Sequence, residues 1–95
     1  MTRSPSGSVW RVSFSPAAER ALRKLGKTAQ IEILRYLRQR IETTEDPRRL
    51  GHTLHGNLAG LWRYRVRDYR IICRIEDEEV TILILEIGHR REIYR

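Results

Sequence analysis

Near the N-terminus, apolar and polar residues alternate, so that Trp10, Val12 and Phe14 fall on one side of the chain. An alternation with a period of two is typical of a strand with one buried face, and we expect the first strand here. Ser15 and Pro16 come next. They predict the start of a helix, because a serine hydroxyl can accept a hydrogen bond from a free backbone N–H and proline has no N–H to leave unpaired.

Two amphipathic helices are predicted after this strand. The apolar positions of the first are Ala17, Ala18, Ala21, Leu22 and Leu25. We expect Gly26 to end this helix in the left-handed conformation that glycine tolerates, and Thr28 to cap the second helix. The apolar positions of the second are Ile31, Leu34, Leu37 and Ile41. Because so few residues join the two helices, they should form a hairpin and lay both apolar stripes on a sheet.

Most of the sheet is expected from the C-terminal half of the chain. Residues 47–60 contain glycines and leucines without a regular period, which predicts an anchored loop. An antiparallel meander follows, with strands predicted at 61–66, 69–76 and 80–87. We expect Arg67 and Asp68 to form the two-residue turn of its first hairpin. The element order β-α-α-β-β-β therefore predicts an α+β fold with both helices on one face of a small sheet.

The length of 95 residues is enough for one domain, and residues 1–8 are expected to form a flexible tail. No apolar stretch approaches the roughly 18 residues that a membrane span needs, and the N-terminus does not resemble a secretory signal. Cys73 is the single cysteine, which suits a reducing compartment. We expect a soluble cytoplasmic protein without membrane contact. Its formal charge of +7 favours polyanionic partners such as RNA, DNA or an acidic protein.

Three arginines are predicted to meet on one face of the meander. Side chains alternate along a strand, so Arg63 and Arg65 share a face, and a two-residue turn places Arg70 opposite Arg65. A bulged turn would alter this pairing. Like charges that face each other cost stability, so the cluster is easier to explain if it binds an anion. The alternative is a solvated outer face whose charge is neutralised by glutamates such as Glu76 or Glu86.

Two other pairs of residues are better explained by structure than by chemistry. Trp62 and Tyr64 could stack on RNA bases, but their alternation with Val66 favours a place in the core. His52 and His55 are three residues apart, a spacing that can occur in metal sites. No cysteine or carboxylate cluster accompanies them, so we interpret both as solvated loop residues. The sequence predicts no metal site and no cofactor.

Four short segments form a characteristic set. They are Leu50-Gly51, Gly60-Leu-Trp-Arg-Tyr-Arg-Val66, Asp68-Tyr-Arg-Ile71 and Gly88-His-Arg-Arg-Glu-Ile-Tyr94. Together with the order of the elements, they resemble the RelE/ParE superfamily of bacterial and archaeal toxins over nearly the whole chain from Trp10. Resemblance to the RelE branch implies a single toxin domain that acts as a ribosome-dependent mRNA endonuclease and inhibits translation. It also implies neutralisation by a cognate antitoxin protein, as in a type II toxin-antitoxin system.

The RelE branch also implies a site. Its basic residues and its C-terminal tyrosine fall here on Arg63, Arg65, Arg70, Arg90 and Tyr94. RNA can be cut without a metal ion when its own 2′-hydroxyl attacks the adjacent phosphorus. Guanidinium groups suit this chemistry because they bind phosphate oxygens in pairs and stabilise the charge of the transition state. We assign phosphate binding to Arg63 and Arg65, and catalysis to Arg70, Arg90 and Tyr94.

One departure from the RelE pattern concerns the proton acceptor. Lysines are common in that branch where this chain has Arg63 and Arg65, and an arginine stays protonated. His89 is the predicted substitute, because an imidazole titrates near neutral pH, although it could instead cap the strand. The implied partners are mRNA in the ribosomal A site, ribosomal RNA and an antitoxin. Two alternatives stay open: a ParE-type toxin that inhibits DNA gyrase, and a non-catalytic RNA-binding module.

Overall fold

The computed structural model describes residues 9–89, so the tail predicted at 1–8 lies outside them. In this part of the chain, two helices pack on a five-stranded mixed sheet, which confirms the predicted α+β fold. The strands are β1 (Arg11–Phe14), β2 (His52–Thr53), β3 (Trp62–Val66), β4 (Tyr69–Glu76) and β5 (Thr81–His89), and the helices are α1 (Pro16–Lys24) and α2 (Lys27–Tyr36). The order across the sheet is β1-β5-β4-β3-β2. Strand β1 runs parallel to β5, and the other neighbours are antiparallel.

The start of α1 is fixed as predicted. The Ser15 hydroxyl accepts a hydrogen bond from the backbone N–H of Ala18 at 3.1 Å, and Pro16 occupies the first helical position. The same hydroxyl donates to the carbonyl of Leu85 on β5 at 3.2 Å. One side chain therefore caps the helix and also ties its first turn to the central part of the sheet.

The predicted helix ends between α1 and α2 are wrong. Gly26 has a φ of −66°, which is not left-handed, and it caps the start of α2 instead of the end of α1. Thr28 lies inside α2 and is not its cap. A longer-range contact replaces the expected glycine cap: the Gln30 amide donates to the carbonyls of Arg23 at 3.2 Å and of Leu25 at 2.8 Å. Because that side chain satisfies the last carbonyls of α1, no left-handed residue is needed.

The buried stripe of α2 differs in part from the prediction. Leu37 and Ile41 are buried as expected, but Ile31 is 47% exposed and Ile33 is fully buried in its place. Residues Leu37–Ile41 form a π-helical turn that continues α2, and the N–H of Glu42 donates to the carbonyl of Leu37. The wider turn keeps the last two residues of the stripe on the face that meets the sheet.

The segment predicted as a loop is more regular than expected. It contains two short 3-10 turns, at Pro47–Leu50 and Gly56–Leu58, and strand β2 lies between them on the edge of β3. A Cβ at Gly51 would lie 3.1 Å from the carbonyl oxygen of Arg63 and 3.1 Å from the Tyr64 ring. The absence of a side chain at Gly51 therefore lets this segment run close enough to pair with β3.

The inner face of β3 belongs to the core, as its alternation predicts. Tyr64 is fully buried; its ring lies 6.2 Å from the ring of Tyr36, and its hydroxyl donates to the carbonyl of Pro47 at 2.8 Å. Trp62 packs against the same core from a half-buried position. Burial raises the pKa of both tyrosines. Tyr64 is therefore a core residue, as predicted, and its buried ring cannot stack on an RNA base.

The hairpin of β3 and β4 has the predicted register. Arg67 and Asp68 form its turn, with Arg67 in the left-handed conformation at a φ of 55°, and Val66 pairs with Tyr69. Strand β5 begins at Thr81, one residue later than predicted, because Val80 ends the preceding turn with a φ of 49°.

Candidate nucleic-acid interface

Three arginines lie on the face of the sheet that points away from the helices, which we call the arginine face. Arg65 on β3 pairs directly with Arg70 on β4, and Arg63 pairs with Ile72. Since residues two apart on a strand share a face, Arg63, Arg65 and Arg70 project on the same side. The predicted convergence of these residues is therefore confirmed.

The arginine face has an apolar base. Ile72 is only 1% exposed, although it lies on the side opposite the main core, between Arg63 on β3 and Glu86 on β5 in the register of the sheet. Arg63 and Arg70 are half-buried, and their Nε atoms are shielded from solvent. Charges with less water around them interact more strongly with an anion, so this base increases the electrostatic attraction for a phosphate.

Among the described residues, arginines outnumber carboxylates on this face of β3, β4 and β5. Arg65 is exposed, and its Nε donates to the carbonyl of Arg67 at 3.0 Å, which orients its side chain toward the turn. Arg67 pairs with Glu32 of α2 at 2.7 Å, and Glu76 accepts from Arg74 at 3.1 Å. Glu76 therefore pairs with Arg74, whereas Glu86, the other glutamate of the alternative interpretation, is exposed on the arginine face opposite Ile72.

The structure places His89 at the end of β5, in register with Tyr69. The two rings are 5.8 Å apart in an edge-on arrangement. By alternation, His89 shares the face of Ile87 and Tyr69, whereas Arg70 is paired with Gly88 and faces the other way. His89 therefore lies at the same end of the sheet as Arg70 but on the opposite side. Arg90 and Tyr94, the two remaining predicted site residues, lie outside the described residues.

The structure also brings His52 beside the arginine face, which the sequence did not predict. His52 is exposed and pairs with Arg63 across β2 and β3. A concavity of about 600 Å³ adjoins this pair and is lined by His52, Thr53, Leu54, His55, Leu58 and Arg63. A two-residue strand has too few positions to show a period, so no local signal in the sequence could reveal this pairing.

Arg48 has a structural role and does not belong to the arginine face. Its guanidinium group binds both carboxylate oxygens of Asp77, at 3.0 and 2.7 Å, and lies 5.8 Å from the centre of the Trp62 ring. The hydrogen bonds with Arg48 lower the pKa of Asp77 and raise that of Arg48. This pair joins the turn after α2 to the turn between β4 and β5.

Cys73 is buried, and burial raises the pKa of its thiol to about 12. Its side chain packs in the core, and a thiol that stays protonated is a poor nucleophile. Within residues 9–89, no three or more His, Cys, Asp or Glu side chains are placed so that they could hold a metal ion. Over the same range, none of the helices has the length and apolar character that crossing a bilayer requires.

Comparison with known proteins identifies the family. The profile of the family described as the ParE toxin of type II toxin-antitoxin systems (parDE) matches residues 12–94. Toxin RelG of Mycobacterium tuberculosis is 34% identical over 86 residues, which cover 90% of this chain and 97% of RelG.

Two solved toxin-antitoxin complexes contain similar chains. The toxin-antitoxin complex RelBE2 of Mycobacterium tuberculosis contains a chain with a TM-score of 0.79 and 31% identity, covering 87% of this chain and 93% of that one. In the archaeal RelE-RelB complex of Pyrococcus horikoshii, the values are 0.66 and 28%, with coverage of 86% and 96%. The chain therefore belongs to the RelE/ParE superfamily of type II toxin-antitoxin toxins.

Proposed function

We propose that this toxin is a ribosome-dependent mRNA endonuclease that inhibits translation. The observation that carries the proposal is the convergence of Arg63, Arg65 and Arg70 on one face of the sheet. Guanidinium groups on directly opposed positions of neighbouring strands repel each other, and a phosphate between Arg65 and Arg70 would attract both. The choice of RNA as the substrate follows from the resemblance to the RelE branch, and the similar chains are toxins of RelE type.

The reaction needs charge stabilisation and two proton transfers. The 2′-oxygen attacks the neighbouring phosphorus and loses its proton to a base, and the bond from phosphorus to the 5′-oxygen breaks while that oxygen gains a proton. The products are a 2′,3′-cyclic phosphate and a 5′-hydroxyl. Arginine donors placed at the phosphate oxygens suit the extra negative charge of the transition state, and each such donor typically contributes about 3 kcal/mol.

The remaining roles follow the RelE pattern. Arg90 would join Arg70 at the phosphate, and Tyr94 would stack on a base or exchange a proton. We assign His89 as the proton acceptor, because no arginine can take that role. Its ring contacts Tyr69 on the other side of the sheet, so the chain must turn after Gly88 for His89 to approach the phosphate.

A cognate antitoxin is the proposed protein partner. The related chains of Mycobacterium tuberculosis and Pyrococcus horikoshii were both solved as toxin-antitoxin complexes. An antitoxin with an acidic segment that covers the arginine face would match its charge and block phosphate binding. Coexpression with such an antitoxin should restore growth.

Gyrase inhibition is the second candidate, because the matching family profile carries the ParE description. A gyrase inhibitor needs no phosphate-cleaving groups and would spare protein synthesis at first. Purified toxin should therefore leave DNA supercoiling by gyrase unchanged if the nuclease proposal is right. Inhibited supercoiling together with intact messages would establish the ParE-type activity instead.

The direct test is to map cut ends on a defined message bound to purified ribosomes. Wild-type toxin should produce cuts in the A-site codon with 2′,3′-cyclic phosphate ends. Arg70→Ala should cut about 100- to 1000-fold more slowly while its circular dichroism spectrum stays unchanged. Arg23→Ala is the matched control, since Arg23 is an exposed arginine of α1 paired with Glu19. Equal cutting by Arg70→Ala and wild type would overturn the assignment.

A further inference from the structure

The concavity beside β2 has the size of a small ligand site and opens next to the arginine face. Its volume of about 600 Å³ falls within the roughly 300–1000 Å³ that is usual for such sites. Arg63 belongs to both surfaces, because it lines the concavity and projects from β3 beside Arg65. A molecule in the concavity can therefore place a phosphate at Arg63 and continue along the arginine face.

The side chains around the concavity offer two kinds of contact. Leu54 and Leu58 provide apolar walls, whereas His52 and His55 provide planar rings with hydrogen-bonding nitrogens. Single-stranded RNA is recognised through such groups, because its unstacked bases lie against aromatic or apolar side chains and bond through their edges. A guanidinium group at the rim suits the phosphate that follows the base.

The backbone gives the concavity a defined shape. The Leu58 N–H donates to the His55 carbonyl at 3.2 Å, and a 3-10 turn places residues three apart on the same side. This explains why His55 and Leu58 both line the concavity. The Leu54 N–H donates to the Leu61 carbonyl at 3.2 Å, which fixes the turn against the start of β3.

We propose that this concavity is a nucleotide subsite, which holds the base of the ribonucleotide next to the phosphate bound by the arginine face. The proposal rests on the proposed nuclease function and adds where the RNA chain leaves the cleavage site. Residues 52–58 would then influence which codons are cut, because the base in the subsite contacts their side chains.

Binding can be measured without cleavage by replacing the attacking 2′-hydroxyl with hydrogen. A fluorescent RNA hexanucleotide with this single 2′-deoxy substitution is titrated with the purified full-length toxin. We expect His55→Ala and Leu58→Ala each to weaken binding by about 5- to 100-fold, the range typical of one lost base contact. Asn57→Ala is the matched control: Asn57 is exposed in the same turn and does not line the concavity. It should bind within about twofold of wild type.

An altered RNA tests the subsite without any change in the protein. Hexanucleotides are compared in which one base at a time, on either side of the deoxy position, is removed to leave an abasic sugar. At one position, wild-type toxin should lose the same 5- to 100-fold, and His55→Ala should lose no more, because both changes remove the same contact. Free nucleoside monophosphate should bind far more weakly than the hexanucleotide, since it reaches the concavity and Arg63 but not Arg65 or Arg70.

The outcomes separate the two proposals. Equal binding by wild type, His55→Ala and Leu58→Ala would overturn the subsite, while the cleavage defect of Arg70→Ala would still support the nuclease. Additive losses from the abasic site and His55→Ala would also overturn the subsite, because they would show that residue and base do not meet. Absence of cleavage by the wild-type toxin on ribosome-bound message would overturn the nuclease proposal, and the binding measurements would still decide whether RNA occupies the concavity.

Discussion

Arg65 and Arg70 show how one pair of residues can be poor for stability and useful for binding. Two guanidinium groups in directly opposed positions of neighbouring strands repel each other, at a cost of a few tenths of a kcal/mol to about 1 kcal/mol. Arg65 is exposed to water, whereas Arg70 is half-buried beside Ile72, which forms a buried apolar base on β4. In the proposed function, a phosphate bound between the two guanidinium groups would contact both and offset this repulsion.

The histidines differ in how they relate to this pair. His52 is on the side of Arg63, whereas His89 lies against Tyr69 across the sheet. Both side chains are imidazoles. Which of them accepts the proton of the 2′-hydroxyl therefore depends on which ring reaches the RNA. A pH profile can distinguish them.

We predict that His89→Gln removes the rise of the cleavage rate with pH that a general base produces. A base must be neutral to accept a proton, so the rate should rise with pH as the base loses its proton and then level off. The substitution should remove this rise and lower the plateau by about 100- to 10,000-fold. The measurement is the single-turnover cutting rate on ribosome-bound message between pH 5 and pH 9. If His52→Gln loses the rise and His89→Gln keeps it, the proton acceptor is His52.

At the scale of elements, the position of β2 depends on Gly51. The segment from Pro47 approaches β3 so closely that a methyl group at Gly51 would contact the Arg63 carbonyl and the buried ring of Tyr64. Tyr64 cannot move away easily, since its ring packs on Tyr36 and its hydroxyl is bonded to Pro47. The place of His52 beside Arg63 follows from this contact.

We predict that Gly51→Ala lowers the free energy of unfolding by about 1–3 kcal/mol, the usual range for one extra carbon in a tightly packed place. For a domain of this size, each kcal/mol corresponds to a fall in Tm of about 4–8 °C. Gly26→Ala is the control, because Gly26 has an ordinary φ and open space where its Cβ would lie. It should stay within about 0.5 kcal/mol of wild type. Equal stability of the two variants in urea unfolding would contradict this account of β2.

The same elements show which features of the fold the sequence could predict. The Ser15 cap and the register of Val66 with Tyr69 depend on residues that are close along the chain, and both were predicted correctly. The predicted left-handed cap at Gly26 is wrong because the side chain of Gln30, four residues later, bonds the last carbonyls of α1 instead.

The stripe of α2 and strand β2 were harder for a different reason. Ile31 fits a helical spacing with Leu34 and Ile33 fits one with Leu37, and in the structure Ile33 is the residue that packs on the sheet. The pairing of β2 depends on a close approach to β3, which leaves no periodic signal. The site was thus predictable where alternation fixes the arginine face, and not where the edge strand brings His52 to it.

At the scale of the molecule, positive charge is unevenly distributed. The chain carries 19 lysines and arginines against 12 acidic residues, and the turn between β4 and β5 concentrates Asp77, Glu78 and Glu79 at one end. The arginine face lies nearer the other end of β3 and β4, at the Arg67-Asp68 turn. Attraction to RNA should therefore depend on the three residues of the arginine face more than on the net charge of the chain.

We predict that this difference appears in the salt dependence of binding to the uncleavable hexanucleotide. Each phosphate contact with single-stranded RNA contributes about −0.7 to the slope of log affinity against log salt, so Arg70→Ala should make the slope shallower by about 0.7. Arg23→Ala removes the same formal charge from α1 and should leave the slope unchanged, because Arg23 is paired with Glu19 away from the sheet. The slopes are measured by anisotropy between 50 and 200 mM salt. Identical slopes for the two variants would mean that RNA responds to net charge alone, and the arginine face would lose its role as a phosphate site.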